Sequence, residues 1–80
     1  MNEQDARNAV LAAIGEVAPD VEASDLDPRS RLRQDLELDS LDFLRLVQLL
    51  ANRTGVEAPE EDYPSLTTVQ AVVDYIAARG

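Results

Sequence analysis

Histidine, cysteine, tryptophan and lysine are all absent from this chain. Without His there is no imidazole base or metal ligand, so serine, cysteine and zinc hydrolase sites of the usual kind are excluded. Without Cys there is no disulfide, no thiolate nucleophile and no thiolate-bound metal. Long hydrophobic runs are missing too: none approaches the roughly 18 residues of a membrane span. Positive charge is scarce. Seven bases, all Arg, face sixteen acids, for a formal net charge of -9. Such a surface repels phosphate backbones and anionic lipid, so neither nucleic-acid binding nor membrane insertion is expected. Partners should instead offer basic docking patches. The opening Met1-Asn2-Glu3-Gln4-Asp5 is polar and acidic, unlike a signal peptide, so the chain is expected in the cytoplasm.

What is present is helical. The hydrophobic share of 45% argues against disorder despite the charge. At 80 residues, a single domain covering 1–80 is expected, and a monomer. Ala6, Val10, Ala13, Ile14 and Val17 recur at spacings of three and four, which predicts a helix from about Asn2, its N-cap, to Ala18 before Pro19. A second helix is expected from near Asp39, a good N-cap, to about Thr54, with Gly55 at its end. Pro59 followed by acids starts a short helix that Pro64 limits. The last helix is expected to open with a capping box, Thr67 as cap and Gln70 reaching back, and to bury Val69, Val72, Val73 and Ile76. Residues 19–38 form a long connection whose turn formers include Asp20, Ser24, Asp25, Asp27, Pro28 and Ser30. Val21, Leu26, Leu32 and Leu36 should pin it to the core as an ordered loop. The fold class is all-α: an irregular bundle of three main helices plus one short one, with a long loop between the first two.

The second helix has more large apolar residues than one face needs. At about 100° per residue, Phe43, Leu46, Val47 and Leu50 make the core stripe. Leu41 falls amid the polar side, with Leu44 and Leu49 at the stripe's edges. Either the preceding loop covers Leu41, or Leu41 and Leu44 form a small docking patch. Ser40 has two readings as well, a solvated first-turn residue or an exposed hydroxyl held at a helix terminus. No His or Lys lies near it in sequence to activate it as a nucleophile of its own.

Asp35-Leu36-Glu37-Leu38-Asp39-Ser40-Leu41-Asp42 resembles the Asp-Ser-Leu signature of acyl carrier proteins. Residues Leu66 to Ile76 look like that family's last helix, and the acidic stretch after Pro59 stands where its short third helix belongs. The resemblance spans essentially the whole chain. It implies a carrier rather than an enzyme, with 4′-phosphopantetheine from coenzyme A attached to Ser40 by a phosphopantetheinyl transferase using Mg²⁺. The arm's thiol would then carry acyl groups as thioesters between enzymes of fatty-acid, polyketide or related biosynthesis. It further implies partner recognition by Asp39, Leu41, Asp42, Leu44, Arg45 and Gln48, and an acyl pocket lined by Phe43, Leu46, Leu50, Leu66 and Val72. Fatty-acid-type carriers usually have an acid-rich recognition helix, whereas Arg45, Gln48, Ala51, Asn52 and Arg53 stand here, which points to a specialised carrier with dedicated enzymes. An aminoacyl or peptidyl carrier is the nearest rival, and an unmodified acidic interaction protein a more distant one. A calcium loop fails: begun at Asp25 it puts Ser30 where the invariant glycine belongs and Leu36 where the bidentate glutamate belongs, and begun at Asp35 it puts Ser40 and Leu46 there.

Overall fold

A computed structural model describes residues 1–22 and 26–80. Ser24 and Asp25, expected as turn formers, lie outside the described residues. Helix α1 (Glu3–Val17) starts where Asn2 accepts a hydrogen bond from the Asp5 amide at 2.7 Å. It buries the expected stripe of Ala6, Val10, Ala13, Ile14 and Val17. Helix α2 (Ser40–Thr54) is capped by Asp39, and Gly55 ends it at φ 77°, a left-handed conformation that glycine adopts without a Cβ penalty. A short 3-10 helix (Glu60–Ser65) follows Pro59 and contains Pro64. Helix α3 (Val69–Arg79) closes the bundle. Both α2 and α3 pack on α1. Among the described residues there is no strand, only an isolated antiparallel bridge between Arg31 and Thr68, and no helix is long and apolar enough to cross a membrane.

The start of α3 differs from the sequence expectation. Thr68, not Thr67, is the N-cap, and its hydroxyl accepts from the Ala71 amide at 3.1 Å. The reason lies in the long connection. Ser30 and Pro28 present their carbonyls to the amides of Val69 and Gln70, at 3.0 and 2.9 Å, while the Leu32 amide donates to the Thr67 carbonyl at 3.0 Å. Residues 67–68 are thereby drawn out alongside residues 30–32, and the helix begins one residue later. With the Gln70 amide satisfied by Pro28, it needs no bond from a Thr67 side chain. The Gln70 side chain accepts from Arg7 at 3.1 Å and donates to Asp74 at 2.7 Å, tying α3 to α1.

The described part of the connection is therefore ordered, and apolar side chains pin it as expected. Leu32 is buried, Leu26 and Leu36 are half-buried against the core, and Val21 is half-buried. Leu38 also enters the core, although its sequence context did not mark it out. Its backbone is held by the Leu32 carbonyl at 3.0 Å, and Glu37 before it takes a positive φ of 58°. That turn delivers the chain to Asp39 with Leu38 pointing inward and Ser40 outward.

Candidate functional site

The site begins with a cap. The Asp39 carboxylate accepts from the Asp42 amide at 2.8 Å, and the Asp39 carbonyl accepts from the Phe43 amide at 2.9 Å. These bonds fix Ser40 as the first residue of α2, with its side chain exposed. The Ser40 hydroxyl oxygen accepts one hydrogen bond, 3.1 Å long, from the Arg33 guanidinium. A guanidinium stays protonated and cannot take the serine proton. The arrangement holds an accessible hydroxyl in place, bonded to a side chain that is not a base.

Sequence reasoning missed Arg33. It lies seven residues before the serine, in a loop whose path no periodicity reveals. One signal was available: Arg33 is the last of three alternating arginines, after Arg29 and Arg31, and precedes a run of acids. Arg31 is already engaged, since its backbone and side chain both bond to Asp35, at 2.8 and 3.3 Å. Those donors, the Arg31 amide first and its guanidinium second, hold the Asp35 carboxyl below the usual carboxylate range. Among the described residues, Arg33 takes part in no ion pair.

From Ser40 the helix presents two faces. Leu41 is 71% exposed and Leu44 46% exposed, so the loop does not fold over Leu41. Asp39, Arg45 and Gln48 are exposed beside them, and Asp42 is half-buried. The six residues grouped from sequence thus include five with clear solvent exposure, acidic at the helix start and basic one turn on. The opposite face carries Phe43, Leu46 and Leu50 into the core. With Leu66 and Val72 they line a small cavity of about 10 Å³. Val47, Val56, Ala58, Tyr75 and Ile76 complete its wall.

A second concavity is lined by Arg33, the residue bonded to the serine, though not by Ser40 itself. It is a groove of about 560 Å³ between residues 31–34 of the long connection and the segment from Glu60 to Thr68, with Phe43 at its base. Tyr63 lines it and meets the Phe43 ring edge-on at 5.1 Å. The 3-10 helix is held to α3 by the Tyr75 hydroxyl, which donates to Asp62 at 2.6 Å. That bond, chiefly, raises the Tyr75 pKa.

The comparisons decide the family. Residues 8–76 match the family described as phosphopantetheine attachment site. The chain belongs to the acyl carrier protein family. It is 38% identical over 73 residues to an acyl carrier protein of Rubrobacter xylanophilus, covering 88% of this chain and 90% of that one. With an acyl carrier protein of Helicobacter hepaticus it shares 41% identity over 58 residues, 72% of this chain and 76% of the relative. The fold matches the solved acyl carrier protein of Enterococcus faecalis, a protein of high thermal stability, with a TM-score of 0.83 at 29% identity over 100% of both chains.

An acyl carrier protein is a carrier and not an enzyme. The group this family carries is a covalently attached 4′-phosphopantetheine, whose terminal thiol holds acyl groups. An exposed hydroxyl on a fixed helix start fits such an ester linkage. The carrier works with biosynthetic enzymes and a phosphopantetheinyl transferase.

Proposed function

We propose that Ser40 is the attachment residue and that this carrier serves dedicated enzymes of a specialised acyl pathway. The observation supporting Ser40 is its exposed hydroxyl at the first position of α2, oriented by the Asp39 cap. In loading, the Ser40 oxygen attacks a pyrophosphate phosphorus of coenzyme A. A new P–O ester bond forms, the pyrophosphate bond breaks, and the adenosine bisphosphate half leaves. The hydroxyl proton passes to a base on the transferase, because Arg33, the side chain bonded to the hydroxyl, can only donate.

The docking surface we assign comprises Asp39, Leu41, Asp42, Leu44, Arg45 and Gln48. Leu41 and Leu44 supply its apolar contact, and Asp39 and Asp42 meet basic residues of the partner. Arg45 adds a positive point one turn along, so a fitting partner carries an acid opposite it. This mixed charge supports dedicated partners over those that read a uniformly acidic helix. The charge of -9 speeds encounters with basic patches and disfavours self-association, which supports a monomer acting in the cytoplasm.

Phe43, Leu46, Leu50, Leu66 and Val72 are the side chains an acyl chain would meet on entering the bundle. At about 10 Å³ the cavity holds no more than a water-sized group. Any acyl chain therefore enters only when the α2 and α3 side chains that line the cavity move apart.

Intact mass tests the attachment. Incubation with coenzyme A, Mg²⁺ and a broad-specificity transferase should add one phosphopantetheine to the wild-type chain and nothing to Ser40→Ala. No gain on the wild type, or a gain that survives the substitution, rejects Ser40. The masses of Ser40-bound species recovered from the native host identify the cargo and separate acyl from aminoacyl loading.

A further inference from the structure

We propose that Arg33 is a phosphodiester clamp that directs the attached arm into the groove beside the loop. This rests on Ser40 being the attachment residue. The Arg33 guanidinium stands 3.1 Å from the Ser40 hydroxyl oxygen, and Arg33 itself lines the 560 Å³ groove. An ester phosphorus is one bond from that oxygen, and its non-bridging oxygens are two. A guanidinium already within hydrogen-bond distance of the serine oxygen therefore has them within reach without backbone movement.

Charge and donor geometry support the same assignment. The phosphodiester would sit among Asp39, Asp42 and Glu37, whose fields oppose it. Among the nearby arginines, Arg31 is bonded to Asp35, while Arg33 is in no ion pair among the described residues. Arg33 instead spends one N–H on a neutral hydroxyl. Its planar fork presents further donors and matches two phosphate oxygens at once, which a lysine ammonium does not.

The groove also suits the pantetheine portion of the arm, a chain of amides and hydroxyls ending in a thiol. Gln34, Thr67 and Thr68 offer polar atoms along the groove, and Phe43, Tyr63 and Leu66 offer apolar contact. The clamp thus places the arm on the loop side of α2, away from Leu41 and Leu44, and leaves the docking face clear while cargo is in transit.

The test uses apo and loaded protein, as wild type, Arg33→Gln and Arg33→Lys. Intact mass first confirms one phosphopantetheine on the wild type; its absence rejects Ser40 as the attachment residue, a failure distinct from that of the clamp. In ¹⁵N spectra the Arg33 side-chain resonance should move on loading the wild type. The ³¹P phosphodiester signal should shift with added salt in the wild type, not in Arg33→Gln, and only partly in Arg33→Lys. Loading should also raise the melting temperature of the wild type by roughly 2 °C, as an exposed charge pair does, and that rise should vanish in Arg33→Gln. A normal mass gain with an unmoved Arg33 resonance and a salt response equal to that of Arg33→Gln overturns the clamp.

Discussion

Asp39 serves the fold and the site with the same atoms. Its carboxylate satisfies the Asp42 amide, and in doing so it sets where α2 starts and which way Ser40 points. Replacing Asp39 by Ala should cost about 1 kcal/mol, the usual loss for an N-cap. The melting temperature should fall by roughly 4–8 °C, and phosphopantetheine loading, if at Ser40 as proposed, should slow because its helix turn frays. Asp35 acts nearby through charge. Its folded pKa lies below the ordinary value of 3.8 because the Arg31 amide and guanidinium bond to it. A lowered pKa stabilises the fold above the unfolded value, and the contribution disappears as pH falls through the folded one. Asp35→Ala should therefore melt below the wild type at neutral pH. That gap should close on acidification below the ordinary value, as thermal melts across the acid range would show.

At the scale of elements, the long connection behaves as part of α3. Carbonyls of Pro28 and Ser30 satisfy the first two helix amides, and Thr68 provides for the next two through its hydroxyl and carbonyl. Helix amides in the first turn have no partner within the helix, so these loop bonds complete the element. Leu32 holds the arrangement to the core at 1% exposure. Leu32→Ala should cost about 2–5 kcal/mol, as for other buried leucines. Amide exchange should then accelerate at Val69 and Gln70 together with residues 32–38, while the middle of α1 changes less. Equal acceleration everywhere would mean the connection and α3 do not open as a unit. The sequence places the capping box one residue early for the same reason. A Thr-Thr pair allows two starts, and only the carbonyls of a distant loop choose between them.

For the molecule as a whole, the charge of -9 repels itself within a body of 27 × 25 × 20 Å. Added monovalent salt should raise the melting temperature, most steeply at low ionic strength where the screening length changes most. A flat response would show the acids to be arranged without net repulsion. Packing sets a second global property. α2, α3 and the segment between them close to leave about 10 Å³ inside, and the edge-on contact of Phe43 with Tyr63 together with the Tyr75–Asp62 bond fastens the 3-10 helix to α2 and α3. Tyr75→Phe should load phosphopantetheine normally. It should also lower the barrier to opening, visible as faster exchange of amides in residues 60–66.

The helices, their core stripes and the exposed serine were legible because each depends on local rules. Periodicity marks a face, Asp39 and Gly55 mark ends, and a leucine off the stripe stays off it wherever the helix packs. The family resemblance was legible too, since it resides in short runs of residues. The path of residues 26–38 was not. Loop backbone follows no period, so the burial of Leu38, the shift of the cap to Thr68 and the approach of Arg33 to Ser40 were settled only when distant carbonyls and amides found partners in the folded chain. The missing cysteine had already shown that any reactive thiol must be acquired. It took the tertiary structure to set a guanidinium beside the Ser40 hydroxyl, the group proposed to acquire it.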